Sequence, residues 1–335
     1  MTLVSIKDCT RAAQIALEAA DVPPEAARLQ VDLLLDAQLR GVPSHGFLRL
    51  ERIIARIGNG VANPRTRGVH NWRSESFLSV DGQQGRHAAD VLAERAKQSG
   101  IAVAAIANNN HIGMLAWYAE AIAEAGLLSI ILTTSEALVH PFGGTRALLG
   151  TNPIAIGVPT SAGPFVIDLA TSLVSMGEIH DYAHRGAELP EGWALDAEGR
   201  PTTDPQAAKA GAIAPFGAAK GYALGLAFEL LVTALTGAAL GREGTGTLDA
   251  VHPSNKGDVL ILIDPLSGQG AALAAYLETI RQTPPMAGFE AVLIPGERGR
   301  ARKAERLAAG VELADDVWIT MQRLRDNARP ILRAR

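Results

Sequence analysis

Residues 101 to 133 read IAVAAIANNNHIGMLAWYAEAIAEAGLLSIILT, and this stretch carries the pattern that decides the fold. Its first part, Ile101 to Ala107, is a short apolar run typical of a strand. A polar segment follows, apolar residues then recur at helical spacing from 112 to 125, and a second strand-like run spans Leu127 to Thr133. A strand, a loop, a helix and another strand in this order indicate an α/β layer.

The same alternation continues on both sides of this stretch. Strand-like runs lie at Phe77 to Val80 and Ile154 to Val158, and a helical pattern spans 86 to 99. The pattern resumes later with apolar runs at Val259 to Ile263 and Ala291 to Ile294. The sequence therefore predicts the α/β fold class.

Both ends of the chain have helical periodicity instead. Apolar residues recur at helical spacing from Asp8 to Gly58, and the C-terminal end returns to a helical pattern. We expect a helical domain at residues 1–72 that is completed by 300–335. Residues 73–299 then form the α/β domain, with an irregular insertion near 185–216 that is rich in Pro, Gly, Asp and Thr.

Composition and charge exclude several classes of protein. The chain has 335 residues, of which 47% are hydrophobic and 20% charged, so it can bury a sizeable core. Its formal net charge is −4, which leaves no overall positive field to hold nucleic acid or anionic lipid. We expect no nucleic-acid partner.

The cysteine content and the most apolar segment bear on location. Cys9 is the single cysteine, so it forms no intrachain disulfide and no Cys-rich zinc site, and we expect a cytoplasmic protein without a metal. The segment Ala223 to Leu240 is long enough to cross a membrane, but Glu229 near its middle is costly in lipid. We interpret the segment as a buried helix with Glu229 paired or functional, and we expect no membrane partner.

Several common enzyme motifs are absent from the sequence. A usual nicotinamide-binding domain carries Gly-x-Gly-x-x-Gly between an early strand and helix, and the nearest fragments here, Gly58-Asn59-Gly60 and Gly268-Gln269-Gly270, lack the third glycine. The phosphate-binding P-loop, the Gly-x-Ser-x-Gly elbow and the His-Glu-x-x-His zinc helix are also missing. A standard Rossmann fold, phosphoryl transfer and zinc proteolysis lose support.

The segment Pro43-Ser44-His45-Gly46-Phe47-Leu48-Arg49 is the first candidate for chemistry. If a helix starts near Ser44, His45 and Arg49 are four residues apart and share one face. A histidine can move a proton at neutral pH, and an arginine can hold a carboxylate, so the pair suits an acid substrate. From spacing alone, an N-cap serine beside two solvated surface residues is the favoured interpretation.

Polar turns at several strand ends are the other candidates. Asn108 to Gly113 follows a strand-like run and opens a helix, which is typical of an anion site and equally of a polar turn with an Asn cap. Gly143 to Arg146, Gly150 to Pro153 and Asp168 to Ser172 have the same character, and strand ends are where α/β sheets hold ligands. Lysine-containing turns lie at Gly217 to Gly221 and, before the late strand-like run, near Lys256, while Arg298 is a weak anion candidate.

Taken in order, these segments resemble the malate/L-lactate dehydrogenase family of the second type, which includes sulfolactate, ureidoglycolate and diketogulonate oxidoreductases and cyclic imino-acid reductases. The similarity covers nearly the whole chain. The matching segments are Ser44-His45-Gly46 with Arg49, Asn110-His111-Ile112-Gly113, Leu149 to Pro153, Asp168 to Ser172, Pro190 to Trp193, Pro201 to Pro205, Lys220-Gly221-Tyr222 and Pro295 to Arg298.

The resemblance implies a fold and an activity. The fold is a non-Rossmann dinucleotide-binding α/β domain with a mixed sheet, plus a helical domain from both termini, in a homodimer with its active site in a cleft between domains. The activity is that of an NAD- or NADP-dependent oxidoreductase that interconverts a small 2-oxo acid and its 2-hydroxy acid, of the malate, lactate or sulfolactate type. The alternative is an NAD(P)H-dependent reductase of cyclic ketimine or N-alkyl imino acids.

The resemblance also implies roles for individual residues. His45 is the catalytic proton donor during reduction, with Ser44 in its hydrogen-bonded relay. Arg49 holds the substrate carboxylate, and Thr151 and Ile179 contact the same substrate. The cofactor-binding residues are His111, Ile112, Gly113, Met114, Leu115, Asp168, Leu169, Ala170, Ala219, Lys220, Gly296, Glu297 and Arg298.

Glu178 is a further catalytic candidate with two interpretations. It lies where some relatives place an Asp in the relay and others a Lys. A glutamate there could orient His45 and raise the fraction of imidazolium. It could equally be a surface charge beside Met176-Gly177.

Overall fold

The structure is a computed structural model that describes residues 1–83, 89–265 and 268–333. Its helices are α1 (Ile6–Ala19), α2 (Pro24–Arg40), α3 (Leu50–Gly58), α4 (Ala89–Ser99), α5 (Leu115–Glu124), α6 (Met176–Arg185), α7 (Pro205–Lys209), α8 (Ala219–Thr236), α9 (Gly270–Arg281), α10 (Glu297–Ala309) and α11 (Asp315–Arg333). Its strands are β1 (Thr2–Val4), β2 (Val69–Trp72), β3 (Phe77–Asp81), β4 (Ile101–Ala107), β5 (Leu128–Thr133), β6 (Ile154–Val158), β7 (Phe165–Leu169), β8 (Ala194–Leu195), β9 (Pro201–Thr202), β10 (Ala212–Ile213), β11 (Gly257–Ile263) and β12 (Val311–Leu313).

A mixed seven-stranded sheet in the order β2-β3-β4-β11-β5-β6-β7 forms the centre of the protein. The pair β3 and β4, which α4 connects, is parallel, and the other described pairings of this sheet are antiparallel. β4 and β5 are not neighbours, because β11 lies between them and pairs with both: Asp258 faces Ile106 on one side and Thr133 on the other. The predicted α/β fold with a mixed sheet is confirmed.

The two faces of this sheet are covered differently. The larger core lies on the face covered by α4 and α5, where Leu92, Leu115 and Ile131 are almost fully buried. On the opposite face, Val232 of α8 packs with Leu132 and Val259 in a much smaller cluster. The α4 and α5 face therefore supplies most of the sheet's apolar burial.

Helix α8 differs from the buried helix that its composition predicts. It is the one helix in the described residues that is long and apolar enough to cross a membrane by length and composition, and only 22% of it is buried. Its buried residues form a narrow stripe against the sheet, and Glu229 lies in that stripe. The Glu229 carboxylate accepts hydrogen bonds from Asn152 Nδ2 at 2.7 Å and from the backbone N–H of Gly241 at 2.7 Å. Glu229 is thus a paired exception in an otherwise apolar helix.

A second core joins the two ends of the chain. Cys9, Leu17, Leu34 and Phe47 from the N-terminal helices pack with Met321 of α11. β1 pairs antiparallel with β12, so the first strand and the penultimate element of the chain form a small sheet of their own. The division into two domains is a proposal. Its boundary after residue 72 places β2 in the helical domain, but β2 pairs with β3 and so belongs to the central sheet.

The remaining segments depart from the sequence patterns in two places. The insertion near 185–216 contains α7 and a three-stranded antiparallel sheet, and it packs with α6 around Ile179 and Ile213. The apolar run Ala291–Ile294 is not a strand, because it lies in irregular backbone between α9 and α10. Short apolar runs do not by themselves distinguish a strand from a covered loop.

Buried charges fasten α2 to the α/β core. Arg40 forms ion pairs with Asp36, at 2.7 Å, and with Glu120 of α5, and the side chains of both Arg40 and Asp36 are 7% exposed. Lys303 of α10 also pairs with Asp36, at 2.6 Å. α2 is therefore tied to α5 and α10 at the end of the helix that precedes the predicted catalytic segment.

Replacement of Arg40 tests this junction. Arg40→Ala leaves Asp36 and Glu120 without their shared partner in a poorly hydrated site, so we expect the free energy of unfolding to fall by about 3 to 5 kcal/mol. Urea denaturation followed by circular dichroism measures the change. Arg65→Ala, which removes an exposed pair with Asp21, is the control and should change stability little. Equal effects of the two substitutions would refute the proposed junction.

Candidate active site

The segment after α2 brings His45 and Arg49 to one cleft. The sequence predicts a single helix here, but the structure has two short 3₁₀ turns, Pro43–His45 and Phe47–Arg49, separated by extended backbone at Gly46. Both side chains nevertheless line the same cleft. Their four-residue spacing predicts this result even though the local helix type differs.

Ser44 contacts both of these residues. Its hydroxyl Oγ lies 3.1 Å from Nδ1 of His45. Its backbone carbonyl accepts a hydrogen bond from Nε of Arg49 at 2.9 Å. Because the Ser44 hydroxyl is within hydrogen-bond distance of Nδ1, the nitrogen of His45 that can contact a reacting group is Nε2.

The guanidinium of Arg49 is held by backbone oxygens. In addition to the Ser44 carbonyl, the carbonyl of Thr247 accepts from Nη1 at 3.1 Å. The backbone N–H groups of Thr247 and Leu248 donate to the carboxylate of Glu136 at 2.6 and 2.8 Å. Burial and the nearby Arg52 charge lower the pKa of Arg49 to about 10, and Glu136 opposes them. Arg49 remains a cation at neutral pH.

The ring of His111 lies beside Arg49. The backbone N–H of Gly113 lies 3.1 Å from Nδ1 of His111, and Nη2 of Arg49, which can only donate, lies 3.1 Å from Nε2. A neutral imidazole has a single acceptor nitrogen, so one tautomer satisfies only one of these two contacts. In the tautomer that accepts from Gly113, Nε2 carries the proton, and a carboxylate oxygen placed between Nε2 and Nη2 can accept from both.

His45 lies next to this pair of donors and is neutral. The ring centroids of His45 and His111 are 5.3 Å apart. Burial, followed by the positive charge of Arg49, lowers the pKa of His45 from 6.5 to about 4. At pH 7 the neutral ring of His45 can accept a proton. An anion bound to Arg49 would offset the positive charge of Arg49 and so raise the pKa of His45.

The cleft lies between the helical part of the chain and the loop after β4. It is open to solvent, and its volume of about 1070 Å³ includes adjoining solvent space. Its apolar lining comes mainly from α1, α2 and α3. Its polar lining residues are Gln30, His45, Arg49, Arg52, Arg56, Asn63, Thr66, Asn110, His111 and Thr247. The described lining contains no carboxylate, so its charge suits an anionic ligand.

The loop after β4 is fixed from both sides. Asn109 is fully buried and donates through Nδ2 to Asp258 of β11 at 2.8 Å, and Asp258 also forms a buried ion pair with Lys256. Asn110 accepts from Nε of Arg56 of α3 at 2.9 Å. Because both contacts directly precede His111, they fix its position relative to Arg49.

The structure brings the first predicted cofactor-binding segments together. The carboxylate of Asp168, at the end of β7, accepts from the backbone N–H of Ala116 in the first turn of α5 at 2.8 Å. Although Asp168 has an exposed surface, burial of its carboxyl raises its pKa to about 6, opposed by N–H groups of Ala116 and Leu115 and by the charge of Arg40. The predicted residues Leu169 and Ala170 follow Asp168, and His111 to Leu115 lead into α5.

The other predicted cofactor-binding segments lie next to β7 and to its C-terminal extension. Gly296 precedes α10 with φ of +88°, and a Cβ there would lie 2.8 Å from the carbonyl of Val166 in β7. The backbone N–H of Phe216, just before α8, donates to the carbonyl of Thr171 at 3.1 Å. Neither α8 nor α10 has a side-chain N-cap. In their first turns the N–H of Lys220 donates to the Gly217 carbonyl at 3.3 Å, and the N–H of Glu297 donates to the Ile294 carbonyl at 3.1 Å. Ala219, Lys220 and Arg298 are exposed beside these termini, and Glu297 pairs with Arg281.

Three predicted residues lie away from the cleft or outside direct contact with His45. Ile179 has a fully buried side chain in the core around α6 and is not part of the cleft lining, so its contact with a substrate stays a prediction. Thr151 lies 3.3 Å, Oγ to Oγ, from Ser135 and is not part of the cleft lining. Glu178 is exposed, and the described residues contain no hydrogen bond between it and His45. The neighbour of Glu178, Gly177, does contact Ser44, since a Cβ at Gly177 would lie 2.7 Å from Ser44 Cβ.

Sequence reasoning missed several residues around the cleft. Arg52 and Arg56 follow Arg49 at three and seven residues, a helical spacing that could have identified them. Thr247 and Glu136 come from distant loops and no local pattern marks them. His180 of α6 lies outside the cleft lining, and burial followed by the charges of Lys209 and Arg52 lowers its pKa.

Comparison with known proteins identifies relatives over most of the chain. Residues 4–322 match the family model for malate/L-lactate dehydrogenase. L-sulfolactate dehydrogenase of Methanocaldococcus jannaschii is 36% identical over 85% of this chain and 86% of its own length. The (2R)-3-sulfolactate dehydrogenase (NADP⁺) of Chromohalobacter salexigens is 34% identical over 91% and 92%, and ureidoglycolate dehydrogenase (NAD⁺) of Escherichia coli is 30% identical over 88% and 87%.

Solved structures share the fold. A dehydrogenase from Sinorhizobium meliloti superposes with a TM-score of 0.93 at 53% identity and covers 97% of this chain and 98% of its own. The delta1-piperideine-2-carboxylate reductase from Pseudomonas syringae pvar. tomato superposes with a TM-score of 0.84 at 29% identity over 97% and 100%. Both similarities extend over nearly the whole chain.

The titration of His45 tests the electrostatics of the cleft. We expect a midpoint near pH 4 in the wild type, measured from the imidazole carbon-bound protons by NMR with His45→Gln to assign the signal. Arg49→Gln removes one of the two causes, so the midpoint should rise while burial keeps it below 6.5. In both proteins the neutral ring predominates above its midpoint. An unshifted midpoint of 6.5 in the wild type would contradict this description.

Proposed function

This chain belongs to the malate/L-lactate dehydrogenase family and is a dehydrogenase-type enzyme, and we propose that it interconverts a small 2-oxo acid and its 2-hydroxy acid with NAD or NADP. The observation that carries the proposal is the convergence of Arg49, His111 and His45 in one cleft. A carboxylate bound to the first two places the neighbouring carbon and its oxygen near the third. This geometry orients a 2-hydroxy or 2-oxo acid.

His45 is the proposed acid/base residue. In the oxidation direction its neutral ring accepts the proton of the substrate hydroxyl, and in the reduction direction the imidazolium returns a proton to the carbonyl oxygen. The Ser44 hydroxyl at Nδ1 orients the ring. The low pKa of His45 favours the accepting form in the free enzyme, and the bound carboxylate raises the affinity for the proton that reduction requires.

The proposed cofactor is NAD or NADP, and it supplies or takes the hydride. Four segments would hold it: the loop from His111 to Leu115, the end of β7 from Asp168 to Ala170, and the starts of α8 and α10. The positive dipole ends of α8 and α10, which no side chain caps, would favour a phosphate group of a dinucleotide in a chain without the glycine-rich fingerprint. One relative is named for NADP and another for NAD, so either form is compatible with the family.

Reduction of a cyclic ketimine or N-alkyl imino acid is the second candidate. The structural similarity to a delta1-piperideine-2-carboxylate reductase favours it specifically. A C=N bond beside a carboxylate uses the same arrangement as a C=O bond, with His45 as the proton source for nitrogen. Pyruvate assayed with and without methylamine, beside a cyclic ketimine carboxylate, separates the two activities.

We further propose a cytoplasmic homodimer. The single cysteine, Cys9, is a buried free thiol, which supports a reducing compartment. Leu224, Leu231 and Leu235 of α8 lie on one face of that helix and are 45%, 44% and 36% exposed. An apolar face of this kind is typical of an interface between subunits.

Substitution of His45 tests the proposed reaction. We expect His45→Gln to lower kcat by about 10²- to 10⁴-fold with the best acid or imine substrate, because the positioned proton carrier is lost. Cofactor affinity should be unchanged, as measured by fluorescence titration. His70→Gln, on the exposed strand β2, is the matched control. Turnover of His45→Gln within a few-fold of wild type would refute this role.

The oligomeric state tests the α8 face. The wild type should have twice the chain mass of 35.1 kDa by light scattering. Leu231→Asp places a charge in the apolar face and should give the monomer mass. Leu3→Asp, at an exposed leucine of β1, should leave the mass unchanged. A monomeric wild type would contradict the homodimer.

A further inference from the structure

The apolar residues of the cleft lining have no part in the reaction as described so far. Ala26, Leu29 and Leu33 share one face of α2, and Ile53 and Ile57 line the cleft from α3. We call these two sets of side chains the apolar walls; Gln30 of α2 and Arg52 and Arg56 of α3 line the cleft beside them. Substrate pockets commonly combine such a surface with a few placed polar groups.

The apolar walls begin directly beside the carboxylate-binding residues. Arg49, Ile53 and Ile57 follow one another at intervals of four residues, so the backbone of the first isoleucine is about one helical turn from that of Arg49. On the other side, Leu33 packs against Gly113, where a Cβ would collide with the leucine side chain. Gly113 is two residues from His111. A group attached to the bound acid therefore reaches apolar surface at once.

The cations near these walls do not provide a second anion site of equal quality. Arg56 is buried, and its guanidinium donates to Asn110 Oδ1 and to the carbonyls of Val61, Asp249 and His252. Its donors are thus committed to the protein. Arg52 lies at the exposed edge of the cleft, where water already solvates it.

We propose that the side chain of the substrate is uncharged and apolar, a branched aliphatic or larger group that lies between α2 and α3. This inference rests on the proposed function, because it takes Arg49 and His111 as the carboxylate site. It assigns the wall residues of α2 and α3 to substrate selection. Burial of each further methylene against these walls should raise kcat/KM about fourfold.

A pair of substrates of equal shape tests the proposal. In 4-methyl-2-oxopentanoate an isopropyl group replaces the distal carboxylate of oxaloacetate, so the two acids differ mainly in charge at the far end. We expect a higher kcat/KM for 4-methyl-2-oxopentanoate, and a rise along pyruvate, 2-oxobutanoate and 2-oxopentanoate. A preference for oxaloacetate, or no rise with chain length, would overturn the proposal and would favour Arg52 as a second anion site.

Two matched variants locate the effect in the cleft. Leu29 and Leu307 are both 53% exposed, and only Leu29 lines the cleft. Leu29→Trp should reduce kcat/KM for 4-methyl-2-oxopentanoate about tenfold and leave that for pyruvate within about twofold, because it fills the space of the side chain. Leu307→Trp should change neither. Equal losses for both substrates in Leu29→Trp would overturn the proposal.

A binding measurement separates this inference from the proposed reaction. In the presence of oxidised cofactor, 4-methyl-2-oxopentanoate should raise the Tm of the wild type and of Leu307→Trp but not of Leu29→Trp. If no 2-oxo acid is reduced with either cofactor but this pattern is present, the proposed reaction is wrong and the apolar pocket stands. If 2-oxo acids are reduced but the shift is the same in all three proteins, the pocket assignment is wrong.

Discussion

A guanidinium held in a partly buried cleft without a salt bridge among the described residues is the constraint on which the site depends. Arg49 keeps its charge because the backbone carbonyls of Ser44 and Thr247 accept hydrogen bonds from it. The carboxylate of Glu136 accepts from the backbone N–H of Thr247 and so holds that loop in place. The charge of Arg49 helps to keep His45 neutral. An anion bound to Arg49 would therefore complete the electrostatics of the cleft and raise the pKa of His45.

The rest of the fold can be understood as the means of holding this charge in place. The helical part delivers Ser44 to Arg49, and the sheet delivers His111 through a loop fastened to the buried pair of Asp258 and Lys256. The two parts approach closely where side chains are missing: Gly113 admits Leu33, and Gly177 admits Ser44. A Cβ at Gly113 would collide with the side chain of Leu33, and a Cβ at Gly177 would collide with that of Ser44, so each close approach depends on glycine.

Local periodicity was sufficient to predict the helices and strands of this stretch but not which strands pair with each other. β4, α5 and β5 follow directly from the pattern of residues 101–133, yet no local feature places β11 between the two strands or pairs β1 with β12, because these contacts join residues far apart in sequence. Ala291–Ile294 illustrates the converse, an apolar run that is not a strand.

In the candidate site, too, sequence spacing predicts some positions and not others. His45 and Arg49 share the cleft that their spacing predicts, whereas the side chain of Ile179 lies in a separate core and Glu178 is exposed on α6. Such positions depend on the direction in which α6 leaves the loop, and sequence spacing does not contain that direction.

The central claim is that this chain holds a nicotinamide dinucleotide beside His45 without a glycine-rich fingerprint. Titration of the purified protein with NADH and, separately, NADPH, followed by cofactor fluorescence, tests it most directly. The account predicts saturable binding of at least one of them, and each tenfold preference corresponds to about 1.4 kcal/mol. A folded protein that binds neither would contradict the account and leave only the shared fold.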